Sequence, residues 1–252
     1  FFERELRWLG DVLGEVRDLD VYILNFPIYA ADIPPHEVAQ LAAYEEELRR
    51  RREDARARMI AALDSARYER LLDRLRRWLE KGAPRRPSAP LAAVPTPEAA
   101  GVTIRRAFDR VMTRGKKAAK ETTTERLHAL RVACKQLRYT CEWLVDLYDG
   151  RVADFTGRVT KLQGLLGKHH DASVAASRLA RSADDFASAD EVDGGSLMLL
   201  ALGQMVAAQR RTMREAEEAF PSAWGKFARA KVARKLLWAP INDLYWSDRA
   251  GH

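Results

Sequence analysis

One internal repeat constrains the fold of this 252-residue chain more than any other feature of its sequence. Residues 5–21 align with residues 158–174 at a constant offset and without gaps. The identical pairs are Leu9 with Leu162, Leu13 with Leu166, Gly14 with Gly167, Asp18 with Asp171, and Val21 with Val174. Self-similarity at a fixed spacing is the mark of a duplicated structural unit. The repeat therefore predicts two related halves, each containing one copy of the segment.

Both copies, and most of the chain around them, have the period of an α-helix. Apolar residues recur every three to four positions in several stretches, whereas no stretch has the strict alternation of a β-strand. We therefore predict an all-α protein. The predicted helices cover residues 3–23, 37–63, 68–81, 98–119, 122–150, 152–181 and 196–220.

Proline marks the predicted boundary between the two halves. Five of the ten prolines lie between residues 82 and 97, among small residues. Because proline interrupts helices and restricts the residue before it, this segment is predicted to be a linker. It ends the first half, residues 1–97, and residues 98–252 form the second half. A basic helix precedes the second copy of the repeat but not the first, so we expect the first half to be incomplete at its N-terminus.

That basic helix, residues 127–144, carries its charges on one side. At about 100° per residue, four cationic or ionisable side chains lie within roughly 80° of one another. They are His128, Arg131, Lys135 and Arg138. We call these four residues the cationic row. An adjacent apolar stripe predicts that the helix is packed and that the row lines a cavity or groove for an anion. Thr122 and Glu125 have the spacing of a capping box, which predicts that the helix begins there.

The net charge is concentrated around this helix. The chain carries a formal charge of +7, and residues 101–140 contain eleven Lys and Arg against three Asp and Glu, an excess of +8. This concentration favours a polyanionic partner such as nucleic acid, an inorganic phosphate chain or an acidic membrane surface. The two cysteines, Cys134 and Cys141, are too far apart on one helix for a disulfide, which is typical of a reducing cytosol. No apolar run is long enough for a membrane span.

Three motifs together closely resemble the CHAD family, the conserved-histidine α-helical domains. They are His-x-x-Arg-Val-x-x-Lys-x-Leu-Arg-Tyr within residues 127–139, Leu-Gly-x-x-Arg-Asp-Leu-Asp-Val at 13–21, and Leu-Gln-x-Leu-Leu-Gly-x-x-x-Asp at 162–171. The resemblance implies two four-helix halves with pseudo-twofold symmetry around a basic central cavity that binds inorganic polyphosphate. It also implies that a triphosphate-tunnel catalytic domain can lie upstream.

The resemblance also suggests which side chains bind. It assigns the cationic row to the ligand, together with Arg17 from the first copy of the repeat. Arg52 and Arg56 resemble the cavity-lining arginines of the first half, and Arg210 and Arg214 those of the second. One departure is His169-His170, which stands where an acidic or amide residue is common before Asp171.

The function expected on these grounds is non-enzymatic binding of cytosolic polyphosphate, which localises the protein to polyphosphate granules, with no catalytic residue, metal or cofactor. Two alternatives remain open. A metal-dependent polyphosphate or triphosphate phosphohydrolase would use Asp18, Asp20 and His169-His170-Asp171. Asp18 and Asp20 lie about 200° apart on a helix, however, so we interpret the matched acids as partners for arginines or helix ends. A nucleic-acid-binding module would stack bases on tryptophans, which we interpret as core residues instead. The tryptophans concerned are Trp224, Trp238 and Trp246.

Overall fold

Every regular element is a helix in the computed structural model, which describes residues 1–81, 91, 94–143, 151–187 and 195–229. The all-α prediction is confirmed. Three prolines of the linker, Pro84, Pro87 and Pro90, lie outside these ranges, as do Gly150, Trp238 and Trp246, whereas Pro95 and Pro97 lie inside them. The helices are α1 (Phe2–Tyr29), α2 (Pro35–Val38), a short 3-10 helix (Ala39–Leu41), α3 (Ala42–Leu63), α4 (Ala66–Glu80), α5 (Thr96–Lys120), α6 (Thr124–Trp143), α7 (Arg151–Ala187) and α8 (Gly195–Ala228).

Helix α1 continues beyond its predicted end at residue 23 and includes Pro27. Tyr22 and Phe26 are buried on its inner side, which holds the last turns in place. The amide of Ala30 closes the helix on the carbonyl of Phe26 at 3.0 Å. The helix predicted from Glu37 onward is instead interrupted, because α2 and the 3-10 helix come before α3.

Helix α6 begins one residue later than its capping-box pattern predicts. The Thr123 hydroxyl accepts a hydrogen bond from the Arg126 amide at 3.4 Å, whereas the Thr122 hydroxyl donates to the Ala118 carbonyl of α5 at 3.1 Å. Thr123 is therefore the capping residue. Helix α7 is a single helix through Ala187, so it continues six residues beyond its predicted end at residue 181.

Contacts divide the chain into two compact units. The first unit contains residues Phe1–Ala89 and Ala175–Gln209, and the second contains Pro90–Val174 and Arg210–His252. Each unit is therefore discontinuous in sequence, whereas the predicted halves 1–97 and 98–252 are continuous. The predicted halves describe a duplication, which this division into units does not test, and they stay a prediction.

Each unit has its own apolar core. In the first unit, the Tyr22 and Tyr44 hydroxyls share a hydrogen bond of 2.9 Å inside the core, and burial raises the pKa of Tyr22, so the pair stays neutral. The second unit packs α6 against α5, α7 and α8, and its buried residues include Val111, Leu130, Leu137, Val159, Leu166 and Phe220. None of the helices in the described part of the chain is long and apolar enough to cross a membrane.

Candidate anion-binding site

Helix α6 is held by its apolar stripe, and this positions the cationic row. Five side chains of the stripe are at most 1% exposed: Leu127, Leu130, Cys134, Leu137 and Cys141. The row lies next to this buried stripe, so Arg131, Lys135 and Arg138 are half-buried and His128 is exposed. The apolar stripe and the cationic row are thus arranged as predicted, on adjacent sides of one helix.

Helix α7 contacts both ends of the row. At one end, Arg138 Nε donates to Gln163 Oε1 at 3.0 Å, and its Nη1 pairs with Glu142 at 2.9 Å. At the other end, His128 Nδ1 lies 3.2 Å from His170 Nδ1. Because these contacts pair rising numbers on α6 with falling numbers on α7, the two helices are antiparallel. The second copy of the repeat therefore forms the wall opposite the row.

Arg131 lies between these ends with incomplete hydrogen bonding. Its Nη2 lies 3.9 Å from Asp171 Oδ1, which is an ion pair but too long for a hydrogen bond. Its Nε is buried and has no hydrogen-bond partner in the structure described. Leaving such a donor unsatisfied costs about 1–3 kcal/mol. The rest of the Arg131 side chain is 20% exposed, so a phosphate oxygen would reach the guanidinium from its exposed part and not at the buried Nε.

Lys135 is the second incompletely satisfied cation of the row. Its ammonium has no hydrogen-bond or ion-pair partner among the residues described. The antiparallel contacts on either side place Lys135 about level with Gly167 on α7. A Cβ added to Gly167 would meet nothing within 4 Å. The wall opposite Lys135 is therefore open, which leaves space for a ligand.

The other two cations predicted in the second unit lie on α8. Arg210 and Arg214 are exposed and share a side of α8 with Glu217. Glu217 Oε1 lies 2.9 Å from Nε2 of His169, a residue that is only 2% exposed. His169 therefore ties α7 to α8, and no contact within the described residues joins Arg210 or Arg214 to the cationic row.

The three cations predicted in the first unit differ in their surroundings. Arg52 is already neutralised, because its Nε pairs with Asp20 at 2.7 Å and its Nη1 with Glu53 at 2.5 Å. The hydrogen bond to Asp20, followed by that to Glu53, raises the pKa of Arg52. Arg17 and Arg56 are exposed and have no ion-pair partner in the described part of the chain.

Sequence reasoning missed a cavity of about 710 Å³ in the first unit. It combines arginines and acids in nearly equal number, so it has no strong preference for an anion. Its arginines are already engaged: Arg51 pairs with Glu47, Arg58 pairs with Glu15, and Arg178 stacks over Tyr22 at 4.8 Å. The arginine run at 49–52 was the available signal. The charged lining residues are Glu15, Asp18, Arg51, Asp54, Arg58, Arg178, Arg181, Asp184 and Asp185.

The acids considered for a metal lie on continuous helices. Helix α1 is unbroken through Asp18 and Asp20, which keeps their side chains on different sides. Among the residues that the structure describes, no three His, Cys, Asp or Glu side chains come together as metal ligands would.

Comparison with known proteins identifies a family, and among the similar proteins are two curated relatives. The family model of the CHAD domain matches residues 2–180. The uncharacterised protein Rv2226 of Mycobacterium tuberculosis strain H37Rv is 33% identical over 184 residues, and MT2285 of strain CDC 1551 is 32% identical over the same length. Each match covers 71% of this chain and 34% of the relative, so the chain spans about a third of these relatives' length.

A solved structure shares the fold. PptA from Streptomyces chartreusis superposes with a TM-score of 0.65, over 88% of this chain and 78% of PptA. The sequence identity in this superposition is 22%, so the likeness concerns the fold alone.

Proposed function

The chain belongs to the CHAD domain family, and from this premise we propose that it is a non-enzymatic module that binds inorganic polyphosphate along the cationic row. The observation that carries the proposal is the unsatisfied bonding of Arg131 and Lys135. A structural salt-bridge face would pair both cations closely, but Arg131 has only the 3.9 Å ion pair with Asp171 and no acceptor for its Nε, and Lys135 has no partner in the described structure.

Polyphosphate suits this arrangement chemically. It carries roughly one negative charge per phosphate and has no bases to be read, so a receptor needs fixed cationic donors at intervals. Arginine forks and lysine ammoniums on a packed helix meet phosphate oxygens with little further ordering. The row from His128 to Arg138 extends about 15 Å along α6, enough for several consecutive phosphates.

The opposite wall supports the same ligand. His170 lies beside His128, and the imidazole rings are 4.8 Å apart. With one ring donating and the other accepting, a neutral pair can share a proton between the two Nδ1 atoms. Gly167 keeps the wall free of side chains next to Lys135. The ligand would thus contact α6 cations on one side and the α7 imidazole on the other, with space left for it at Gly167.

The remaining predicted cations, Arg17, Arg52, Arg56, Arg210 and Arg214, belong to the proposal as additional phosphate contacts. Arg52 must exchange Asp20 for phosphate if it is to contribute, so we expect its share to be smaller than that of Lys135. Because the module binds polyphosphate without degrading it, the binding would localise the protein to polyphosphate granules.

The decisive experiment compares the Arg131→Ala/Lys135→Ala/Arg138→Ala variant with the unaltered chain. Long-chain polyphosphate competes against RNA of matched charge at two salt concentrations. We expect polyphosphate affinity to fall at least about a hundredfold, because three charged hydrogen-bond donors are removed. A control, Arg70→Ala/Arg76→Ala/Arg77→Ala on α4, removes the same charge from the first unit.

Three results would overturn the proposal. The first is an unchanged polyphosphate affinity in the α6 variant, and the second is an equal loss in the α4 control. The third is tighter binding of RNA than of polyphosphate at the same salt. Separately, release of orthophosphate with Mg²⁺ or Mn²⁺ present, abolished by Asp18→Asn or Asp171→Asn, would show a phosphohydrolase and contradict the non-enzymatic assignment.

A further inference from the structure

Helix α5 carries a second set of cations, on the side away from its core contacts. Its inner side is buried in the core of the second unit at Ile104, Ala107, Val111 and Ala118. The outer side, from Arg105 to Lys120, occupies about half of the helix circumference at 100° per residue. Seven exposed cations lie there with a single acid, Asp109: Arg105, Arg106, Arg110, Arg114, Lys116, Lys117 and Lys120. We call these seven the α5 arc.

The α5 arc is almost wholly unneutralised. Arg105 pairs loosely with Asp109 at 3.9 Å. The other six side chains have no hydrogen-bond or ion-pair partner within the described residues. Solvated helix faces usually mix signs, often with an acid three or four residues from a base. The arc departs from that pattern over about 22 Å of helix.

The α5 arc ends close to where the cationic row begins. Only residues 121–123 separate α5 from α6. Arg126, in the first turn of α6, donates from Nη1 to the carbonyls of Lys117 and Glu121, each at 3.3 Å. These bonds fix the corner between the two helices. Arg126 and His128 lie on opposite sides of α6, so a flexible chain that leaves the row past His128 has to pass around the first turn of α6 to reach the lysines at the C-terminal end of α5.

The chemistry of the arc favours a bare phosphate chain over other polyanions. Its exposed positions between Arg105 and Lys120 carry no aromatic and no large apolar side chain; the uncharged ones are Thr113 and Ala119. Binding to single-stranded nucleic acid draws on aromatic platforms for the bases. Helices that lie on membranes insert an apolar face, which α5 has already buried in the core.

We propose that the α5 arc is a second contact surface for the same polyphosphate molecule that occupies the cationic row, so that the module selects long chains. This inference rests on the proposed function. A short chain fills the row alone, whereas a long chain continues around the corner and binds along α5 as well. Each cation of the arc is exposed and binds weakly by itself, and the gain comes from their number.

The test uses an arc variant, Arg106→Gln/Arg110→Gln/Arg114→Gln/Lys117→Gln, with two probes, tripolyphosphate and long-chain polyphosphate. We expect affinity for the long chain to fall about tenfold or more. Tripolyphosphate affinity should stay within about twofold, because the row is intact. The salt dependence of long-chain binding should weaken by roughly 0.7 in log–log slope for each phosphate that the variant no longer neutralises. The matched control is Arg70→Gln/Arg74→Gln/Arg76→Gln/Arg77→Gln on α4, and circular dichroism checks that all variants stay helical.

The outcomes separate this inference from the proposed function. Unchanged long-chain affinity in the arc variant overturns the inference, while the α6 variant still tests the row. Equal losses for both probes, or an equal loss in the α4 control, also overturn it, because they indicate a general charge effect. Greater dependence on the arc for RNA or anionic vesicles than for long-chain polyphosphate assigns the surface to a different partner and overturns it as well.

Discussion

Helices α3 and α5 are both rich in cations, yet the arginine run 49–52 on α3 is paired throughout, whereas six of the seven cations of the α5 arc have no partner among the described residues. On α3, Arg49 pairs with Glu45 at 2.9 Å and Arg50 with Glu47 at 2.7 Å. Hydrogen bonds from Arg50, and then from Arg51, lower the pKa of Glu47 to about 2. On α5, the sole acid between Arg105 and Lys120 is Asp109. The count of basic residues is therefore a poor guide to an anion site. Acids three or four residues away on the same helix determine whether the basic side chains are free to bind an anion.

The largest expected effect concerns how α5 is held while its outer side stays free. A Cβ on Gly115 would lie 2.0 Å from a ring carbon of Trp224. Gly115→Ala should therefore destabilise the protein by about 1–3 kcal/mol, as overpacking does. Urea unfolding measures the loss. Gly203→Ala on α8, where the added methyl meets nothing within 4 Å, is the control and should not destabilise. Equal stability of the two variants would contradict the close approach.

The next prediction converts α5 into a helix of the α3 kind without removing a cation. Thr113→Glu places an acid three residues after Arg110 and four before Lys117, and Ala119→Glu places one three residues after Lys116. We expect long-chain polyphosphate affinity to fall about tenfold, because the new acids repel phosphate and occupy the cations. Isothermal titration gives the affinity. The control, Thr113→Gln/Ala119→Gln, should bind normally; a loss there would mean that side-chain bulk, not charge, is responsible.

The α3 side of the comparison predicts a specific pH dependence. Because the pKa of Glu47 is lowered in the folded state, its ion pairs stabilise fully above the ordinary carboxyl pKa of 4.5 and lose that contribution as pH falls toward about 2. Glu47→Gln should cost on the order of 1 kcal/mol at neutral pH, after allowance for solvent screening. The difference between the two proteins in urea unfolding should shrink from pH 4.5 downward. A constant difference would show that the pairs contribute nothing.

The smallest expected effect distinguishes a ligand site from a structural face at the cationic row. Gly167→Ala should stabilise the free protein by about 0.4–1 kcal/mol, because the methyl has space and alanine favours helix. The same methyl occupies the space opposite Lys135, so polyphosphate affinity should fall severalfold. Thermal unfolding and titration measure the two effects. Gly164→Ala, also unhindered on α7, should give the stability without the loss of binding.

Features that depend on residues close together in sequence could be predicted, whereas features that depend on residues far apart in sequence could not. The apolar stripe and cationic row of α6 depend on helical periodicity, which is local, and the sequence predicted both correctly. The start of the helix depends on a choice between Thr122 and Thr123, which a motif three residues long does not resolve. Pairing depends on tertiary contact: Arg52 meets Asp20, 32 residues away in sequence, so its neutralisation could not be read from the chain.

The buried thiols of α6 have a consequence for how the binding helix can be watched. Burial raises the pKa of Cys134 to about 12 and that of Cys141 to about 11. Since the thiolate is the form that reacts, neither cysteine is open to alkylation while α6 is packed. Their modification rate therefore counts the transient openings of this helix. The two cysteines are therefore built-in probes of the local unfolding of α6, and a bound polyanion should lower their modification rate.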